Sequence, residues 1–322
     1  MIGVAIIIVT FKTAHLTIDC LHSIAAERTT CDLNITVTVV DNSHVDFPII
    51  EEEIRSNNWS SWIKLVSPPT NGGFAYGNNF GARIACSNQS PKHIYLLNPD
   101  TVVRKGAITA LVNFLEKRPE VGIAGSGLEN PDGTDWPFAF RFPTIMSEIE
   151  QGLGFGLATR FLRPWVIART MGKSEQQIDW VPGASMMIRR STFDAIYGLD
   201  EGYFLYFEET DLCFRAREKG FQTWYVPDSR VMHIAGQSTK VTERDSKPQR
   251  LPAYWFESRR RFFIRSYGRI YAAITDIAAL AARSLGKIKH LLAGQRDREI
   301  PYFISDLLRH SAFWPESFRS RR

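Results

Sequence analysis

The chain has 322 residues, a net charge of +5 and a hydrophobic content of 44%, which together are typical of a globular protein with a core. It contains no run of about 18 apolar residues, the length that a membrane-spanning helix needs. The amino terminus lacks the basic flank and cleavage site of a signal peptide, so we expect a cytoplasmic protein. The spacing of the four cysteines matches neither a metal site nor a close pair, which favours free thiols.

The charge is distributed unevenly along the chain. Residues 240–322 carry 18 Lys/Arg and 8 Asp/Glu, whereas the other 239 residues carry 21 and 26. We therefore expect contacts with anionic partners to concentrate at the C-terminal end. Nucleic acid is disfavoured as a partner, because the N-terminal part of the chain is net acidic.

Predicted strands and helices alternate over the first 120 residues. Continuous apolar, β-branched runs predict strands that are buried on both faces, and apolar residues at steps of three and four predict helices. The strands are expected at 4–10, 35–40, 64–66 and 94–97, with helices at 16–24, 47–54, 81–85 and 108–115. This alternation predicts an α/β fold with a doubly wound, mostly parallel sheet.

Polar residues follow each of the four predicted strands. They are Thr10, Asp41, Asn42, Asn71, Gly73, Asn98 and Asp100. Because ligands of such sheets bind beyond the carboxyl ends of the strands, these positions predict one shared ligand site. Each cluster alone also fits turn chemistry, and an Asx turn stays open as the alternative for Asp41.

Three carboxylates lie within four residues at Glu208, Glu209 and Asp211, directly after the aromatic and aliphatic run 203–207. Acids beside an apolar wall are sites where a pKa can be shifted for proton transfer. For Asp211 a structural role, in orienting a neighbour or capping a helix, is the alternative.

Seven short motifs occur in order over roughly residues 3–240. They are Ile7-Ile-Val-Thr-Phe11, Val39-Val-Asp-Asn-Ser43, Asn71-Gly-Gly-Phe-Ala-Tyr-Gly-Asn-Asn79, Leu96-Leu-Asn-Pro-Asp-Thr101, Val181-Pro-Gly-Ala-Ser185, Phe204-Leu-Tyr-Phe-Glu-Glu-Thr-Asp-Leu-Cys213 and Val231-Met-His233. Together they resemble the family-two inverting glycosyltransferases of the GT-A fold, in particular the bacterial rhamnosyltransferase-like branch. The resemblance implies a GT-A domain at 1–240, with a nucleotide-sugar-binding half at 1–120 and an acceptor half at 121–240. A basic helical extension at 241–322 follows it.

The resemblance implies transfer of a sugar, rhamnose or a related hexose, from a dTDP- or UDP-linked donor. The acceptor would be a hydroxyl of a cell-envelope polysaccharide or of a lipid-linked saccharide. A divalent metal, Mg²⁺ or Mn²⁺, would be held by Asp100 and His233. Asn98 replaces the first acid of the family's metal motif, which keeps an alternative open: a catalytically weak nucleotide-sugar-binding scaffold at the membrane surface.

The same resemblance assigns roles to individual residues. Glu209 corresponds to the base that takes the acceptor proton, and Glu208 is the second candidate. Asp41 would accept from the pyrimidine N3–H, beside Thr10 and Phe11. The full set of implied donor-binding residues is Thr10, Phe11, Asp41, Asn42, Asn71, Gly73, Asn98 and Asp100.

Residues 255–292 have the pattern of a basic amphipathic helix. Apolar residues recur at steps of three and four, at Ile274, Ile277, Ala281, Leu285, Ile288 and Leu292, while Asp276, Arg283 and Lys287 fall on the opposite side. The pattern predicts either a helix on an anionic membrane surface or an apolar face that docks on the catalytic domain. The first reading would make the protein peripheral on the inner face of the cytoplasmic membrane, and the periodicity leaves both open.

Overall fold

A computed structural model describes residues 1–87, 90–136, 138–154, 156–234, 249–292 and 300–314. The described residues fall into two compact units, drawn from 1–140, 170–204 and 208–242 and from 141–169, 205–207 and 243–322. The predicted boundary at residues 240–241 lies outside the described residues. Among the described helices, none combines the length and apolar character needed to span a bilayer.

Twelve strands are present in the described chain. In chain order they are β1 (Ile2–Thr10), β2 (Leu33–Asp41), β3 (Ile63–Val66), β4 (His93–Leu97), β5 (Thr101–Val103), β6 (Val121–Glu129), β7 (Asp135–Trp136), β8 (Phe138–Phe140), β9 (Ala168–Thr170), β10 (Gln176–Ile178), β11 (Ser185–Arg189) and β12 (Gln222–His233). All of these except β8 and β9 belong to one sheet of the first unit.

The described helices are α1 (Ala14–Arg28), α2 (Phe47–Ser56), α3 (Gly73–Ser87), α4 (Ala107–Lys117), α5 (Ile145–Leu153), α6 (Gly156–Phe161), α7 (Arg190–Ala195), α8 (Glu208–Glu218), α9 (Ala253–Tyr267), α10 (Arg269–Leu292) and α11 (Phe303–Arg309). A 3₁₀ turn covers Arg163–Trp165. The four strands and four helices predicted within the first 120 residues are confirmed.

The main path of the sheet runs β10-β12-β6-β11-β4-β1-β2-β3. The β4-β1-β2-β3 half is parallel, as is the β6-β12 pair, and β11 is antiparallel to both of its neighbours, β4 and β6. In that register Ser185 pairs with Leu97, so the first residue of β11 lies at the end of β4. The loop before β11 is thereby held at the edge where the parallel strands end.

Central strands of the sheet have apolar side chains on both faces. Residues Val4 to Ile8 of β1 are fully buried, and Leu21 and Ile24 of α1 pack in the same core. Burying each such side chain contributes about 1.5–3 kcal/mol. This continuous burial explains why a run of β-branched residues, rather than an alternating pattern, marked the strand.

Helix α3 begins where only glycine fits. Gly73 has a φ of +87°, and a Cβ atom there would lie 1.9 Å from the carbonyl oxygen of Phe204. The same carbonyl accepts a hydrogen bond from the N–H of Phe74. The glycine therefore permits close approach of two backbone segments of the first unit.

The second unit contains a buried ion-pair cluster. Arg259 donates to Glu148 at 3.0 Å and to Asp276 at 2.5 Å, and Asp276 also accepts from the N–H of Ala312 at 2.6 Å. All three charged side chains are less than a tenth exposed. The cluster joins helices α5, α9 and α10 to the segment after α11.

Helix α10 packs through its small residues. Its buried positions are Ala272, Thr275, Asp276, Ala279, Ala282 and Gly286, and a Cβ on Gly286 would lie 2.4 Å from the carbonyl oxygen of Gly152 in α5. The sequence pattern placed Asp276 on the side of α10 opposite its apolar residues. If those apolar residues docked on the catalytic domain, the side with Asp276 would face solvent. That solvated placement is wrong for Asp276, because this side packs against α5 and buries the carboxylate beside Arg259.

We expect the substitution Gly73→Ala to destabilise the protein far more than Gly220→Ala. Both glycines have a positive φ, +87° and +86°, but nothing lies within 4 Å of a Cβ on Gly220. The left-handed backbone alone costs about 1–2 kcal/mol for alanine, while the clash at Gly73 adds to it. Urea unfolding followed by circular dichroism measures both, and equal midpoints for the two variants would contradict the close approach at Phe204.

Candidate active site

The polar residues that follow β1, β2 and β3 lie together at one edge of the sheet. Thr10 pairs with Asp41 across the two strands, and the N–H of Asn42 donates to the Thr10 carbonyl at 3.0 Å. The Asn42 side chain donates to the carbonyl of Gly73 at 3.1 Å. The convergence expected from parallel strands is thus present for these positions.

Two of the predicted donor-binding residues are occupied by structural contacts. Asp41 is fully buried, and its carboxylate accepts from the backbone of Ser43, His44 and Phe47 and from the Ser43 hydroxyl. The turn that the sequence left open as an alternative for Asp41 is therefore present. Thr10 is likewise fully buried, with its hydroxyl donating to Asp46 at 2.7 Å.

Three other predicted donor-side residues are more accessible. The Phe11 ring and the Asn71 side chain are exposed, and Asn98 is half-buried. Asn71 accepts from the N–H of Gly73 at 3.0 Å, which orders the start of α3. Phe11 and Asn71 are thus free to meet a ligand from solvent without rearrangement of the sheet.

Asp100 and His233, predicted as metal ligands, are adjacent. The distance from Asp100 Oδ1 to His233 Nε2 is 3.3 Å, and the Asn98 Nδ2 atom is 3.4 Å from the same nitrogen. Antiparallel pairing of β5 with β12 sets His233 opposite Thr101, one residue beyond Asp100. Asp100 and His233 are more than a hundred residues apart in sequence, and the pairing of these two strands brings them together.

This pair fits a cation that takes most of its ligands from elsewhere. The carboxylate oxygen is a chemically hard ligand and the imidazole nitrogen is of intermediate softness. Mg²⁺ and Mn²⁺ accept ligands of these kinds. Within the described residues no group of three or more His, Cys, Asp or Glu side chains could enclose a metal. These two ligands therefore suit a metal whose other ligands are phosphate oxygens, and they do not suit a closed structural site.

Trp136, which the sequence did not single out, forms a wall beside His233. Its ring is stacked on the imidazole with centroids 5.7 Å apart and planes inclined by 21°. The stacking restricts the orientation of the imidazole ring. The Asn130-Pro-Asp-Gly133 turn was the available signal, because it folds β7 back on β6 and brings Trp136 opposite Leu128.

Glu209 lies in the first turn of α8 with its carboxylate at the backbone of Gly183. The Gly183 N–H donates to Oε1 at 3.4 Å, while Oε2 is buried and has no hydrogen-bond partner among the described residues. Burial raises the pKa of this carboxyl above its ordinary value, and the hydrogen bonds from its own N–H and that of Gly183 act against the rise. A carboxylate with one buried unpaired oxygen and a raised pKa is suited to accept a proton.

The other acids of the triplet are more deeply enclosed. Glu208 is 2% exposed, and Asp211 is 1% exposed. Asp211 accepts from Tyr203 at 3.2 Å and from Arg215 at 2.6 Å. Arg215 also donates to the Gly198 carbonyl at 2.9 Å, so this ion pair ties α8 to the preceding loop.

A strained turn precedes the acidic triplet. Tyr206 and Phe207 both have positive φ values, 71° and 67°. The left-handed conformation costs about 1–2 kcal/mol for each residue that has a side chain. Backbone strain of this kind clusters at functional sites.

The loop at residues 181–184 contacts both Glu209, the candidate base, and the strand end that leads to Asp100, a candidate metal ligand. The carbonyl of Ala184 accepts from the N–H of Asn98 at 3.1 Å, and the N–H of the adjacent Gly183 donates to Glu209. Asn98 and Glu209 therefore contact neighbouring residues of one loop. A cavity of about 470 Å³ near α1 and α4 contains none of the predicted site residues.

The buried thiol of Cys20 lies behind the Asn98–Asp100 turn. Its Sγ atom is 3.8 Å from the Asn98 carbonyl oxygen and 3.5 Å from Thr101 Oγ1. Burial raises the pKa of Cys20 to about 12, so the thiol is neutral and unreactive in the folded protein.

Comparison with known proteins identifies the family. Residues 3–249 match the family described as "Glycosyltransferase like family 2". The chain belongs to this family. A crystal structure of GalNAc-T7 with UDP, GalNAc and Mn²⁺ matches this family 2 glycosyltransferase with a TM-score of 0.60 at 13% identity, over 96% of this chain and 57% of that one. The likeness confirms the predicted GT-A fold.

Two curated relatives are rhamnosyltransferases. The N-acetylglucosaminyl-diphospho-decaprenol L-rhamnosyltransferase of Mycobacterium tuberculosis is 33% identical over 150 residues, which is 45% of this chain and 48% of that protein. The rhamnosyltransferase WbbL of Escherichia coli is 24% identical over 167 residues, 51% of this chain and 61% of that protein. The matches thus span about half to three fifths of the relatives' length.

We expect Glu209→Gln to raise the thermal stability of the family 2 glycosyltransferase at neutral pH. The unfolded chain releases the Glu209 proton near pH 4.3, whereas the folded chain, with its raised pKa, releases it at higher pH. The free energy of unfolding therefore falls as the pH rises through this window, and the glutamine variant lacks that loss. Differential scanning fluorimetry should show a higher Tm for the variant at pH 8 and a smaller difference at pH 4.

Asp211→Asn is the matched control, since it is the same chemical change two residues away. Removing the charge that pairs with Arg215 should lower stability at pH 8 by about 3 kcal/mol. A Glu209→Gln variant that is less stable than wild type at pH 8 would contradict the burial-driven shift.

Proposed function

We propose that this protein is a metal-dependent inverting glycosyltransferase that moves rhamnose or a related hexose from a nucleoside diphosphate to an acceptor hydroxyl. The observation that carries the proposal is that Glu209 and Asn98 contact neighbouring residues of the 181–184 loop, with Asp100 and His233 beside Asn98. A proton acceptor and a pair of metal ligands at one sheet edge are what a single displacement at a sugar carbon needs.

Glu209 performs the proton transfer in this proposal. As the acceptor oxygen forms its bond to the anomeric carbon, its proton passes to the Glu209 carboxylate, and the bond from that carbon to the diphosphate breaks on the opposite face. A positioned base of this kind accelerates a reaction by about 10²–10⁴-fold. Glu208 is the second candidate for the same role.

Asp100 and His233 would hold the divalent metal, Mg²⁺ or Mn²⁺. When bound, such a cation supplies charge neutralisation to the departing diphosphate. Asn98 contributes an amide without charge, so we expect the protein to bind the metal weakly until the nucleotide adds its own oxygens. Phe11 and Asn71, which are exposed at the same strand ends, would meet the donor.

The relatives support the classes of substrate. The name of the Mycobacterium tuberculosis protein gives an N-acetylglucosaminyl-diphospho-decaprenol acceptor and L-rhamnose as the sugar. We propose the same classes here: a dTDP- or UDP-sugar donor and a saccharide acceptor that is linked to a lipid or to a cell-envelope polysaccharide. A lipid-linked acceptor would bring the protein to the inner face of the cytoplasmic membrane.

We expect Glu209→Gln to reduce turnover by about 10²–10⁴-fold while nucleotide binding persists. The assay measures release of nucleoside diphosphate from dTDP-rhamnose and UDP-sugars, with Mn²⁺ and a polyprenyl-diphosphate-linked N-acetylglucosamine acceptor. Binding of dTDP or UDP is followed separately by calorimetry.

The two acids are separated by their amide variants. Glu208→Gln should retain more activity than Glu209→Gln if Glu209 is the base, and the reverse order would transfer the role to Glu208. Wild-type protein that binds nucleotide sugar without any acceptor-dependent release would refute the transferase and favour the scaffold.

We expect Asp100→Asn to raise the Mn²⁺ concentration for half-maximal nucleotide binding by at least about tenfold. The opposite exchange, Asn98→Asp, adds a carboxylate two residues away and should lower that concentration. Thermal stabilisation by dTDP or UDP across a Mn²⁺ titration measures both variants. An unchanged midpoint for both would show that the metal binds elsewhere or is not used.

A further inference from the structure

The large apolar residues of α10 face solvent. Along one side of this helix, Ile270, Ile274, Ile277, Leu285, Ile288 and Leu292 are all exposed. They follow one another at steps of three, four or, across exposed Ala281, eight residues, so they form one continuous stripe, here called the α10 stripe. At a rise of 1.5 Å per residue the stripe is about 33 Å long.

This arrangement inverts that of an ordinary surface helix. The side that packs on α5 consists of small residues around Gly286 and of the buried Asp276, while the side toward water carries the branched aliphatic residues. A packed helix normally buries its large apolar residues and exposes its polar ones. Contiguous exposed apolar surface of this extent marks a site of contact with another apolar phase.

Basic residues lie on both sides of the α10 stripe. At 3.6 residues per turn, Lys289 lies about 80° from the centre of the stripe on one side, and Arg269 and Lys287 lie about 120° from it on the other, toward the opposite side of the helix. All three side chains belong to exposed residues. Long basic side chains beside an apolar face can extend to anionic lipid head groups, while the apolar face is buried at the boundary between the head groups and the acyl chains.

We propose that the α10 stripe is a docking surface for an anionic lipid bilayer, with the helix lying in the plane of the interface. The charge of the C-terminal region is complementary to such a surface, since residues 240–322 carry 18 Lys/Arg and 8 Asp/Glu. This proposal concerns binding alone and stands whether or not the transferase activity is found.

The test is co-sedimentation of the full chain with sucrose-loaded vesicles of phosphatidylcholine containing 0 or about 30 mol% phosphatidylglycerol, without substrates. Wild-type protein should partition to the anionic vesicles, and binding should weaken as salt screens the basic residues. The double substitution Ile274→Gln and Ile277→Gln should reduce the partition coefficient at least tenfold. The double substitution Lys287→Gln and Lys289→Gln should reduce it on the order of fivefold for each charge removed.

The matched control is Val45→Gln with Ile49→Gln in the first unit. These two residues and the two stripe isoleucines are between 45% and 58% exposed, so the chemical change and the loss of exposed apolar area are alike. The control should bind vesicles as wild type does. Because all four residues are exposed, circular dichroism and Tm should be close to those of wild type in both variants.

Two results would overturn the proposal. One is wild-type protein that does not sediment with anionic vesicles, or stripe and control variants that bind equally. The other is a wild-type dimer in light scattering that the stripe variant converts to monomer, in the absence of vesicle binding. That second result would assign the α10 stripe to an interface between two copies of the chain.

Discussion

The site depends on a four-residue loop whose backbone is hydrogen-bonded on both sides. The carbonyl of Ala184 binds the strand end that leads to Asp100, and the N–H of Gly183 binds Glu209. The loop has little freedom to move, because β11 follows at once and is paired with β4 and β6. A Cβ atom on Gly183 would lie 3.1 Å from the Phe74 ring, so a side chain at this position would require the ring to shift.

Much of the sheet could be predicted from sequence because its strands are buried on both faces. A run such as Val4 to Ile8 is stable only in a central strand. The helices between such runs indicate that the strands are connected in parallel. The positions of Thr10, Asp41 and Asn98 at strand ends followed from that order. The pairing of Asp100 with His233 could not be reached this way, since β5 and β12 are far apart in sequence, and it came only from the family resemblance.

Burial was the property that the sequence left undetermined. Asp41 and Thr10 stand at the expected strand ends, yet the backbone of the following turn and Asp46 occupy their polar atoms. In α10 the periodicity correctly marked an apolar side but could not tell which side packs. Residue size decided it, because the close contact between Gly286 and Gly152 requires the small residues to face α5 and leaves the isoleucines outside.

The thiol of Cys20 can report on the opening of the turn that carries Asn98 and Asp100. Its sulfur is enclosed by that turn and by Thr101, and its proton is held tightly, so an alkylating reagent can reach it only while the turn is open. Cys213 is also buried, whereas Cys31 and Cys86 are partly accessible and would be blocked first. The slow labelling that remains, resolved by peptide mass, would report how often this turn opens.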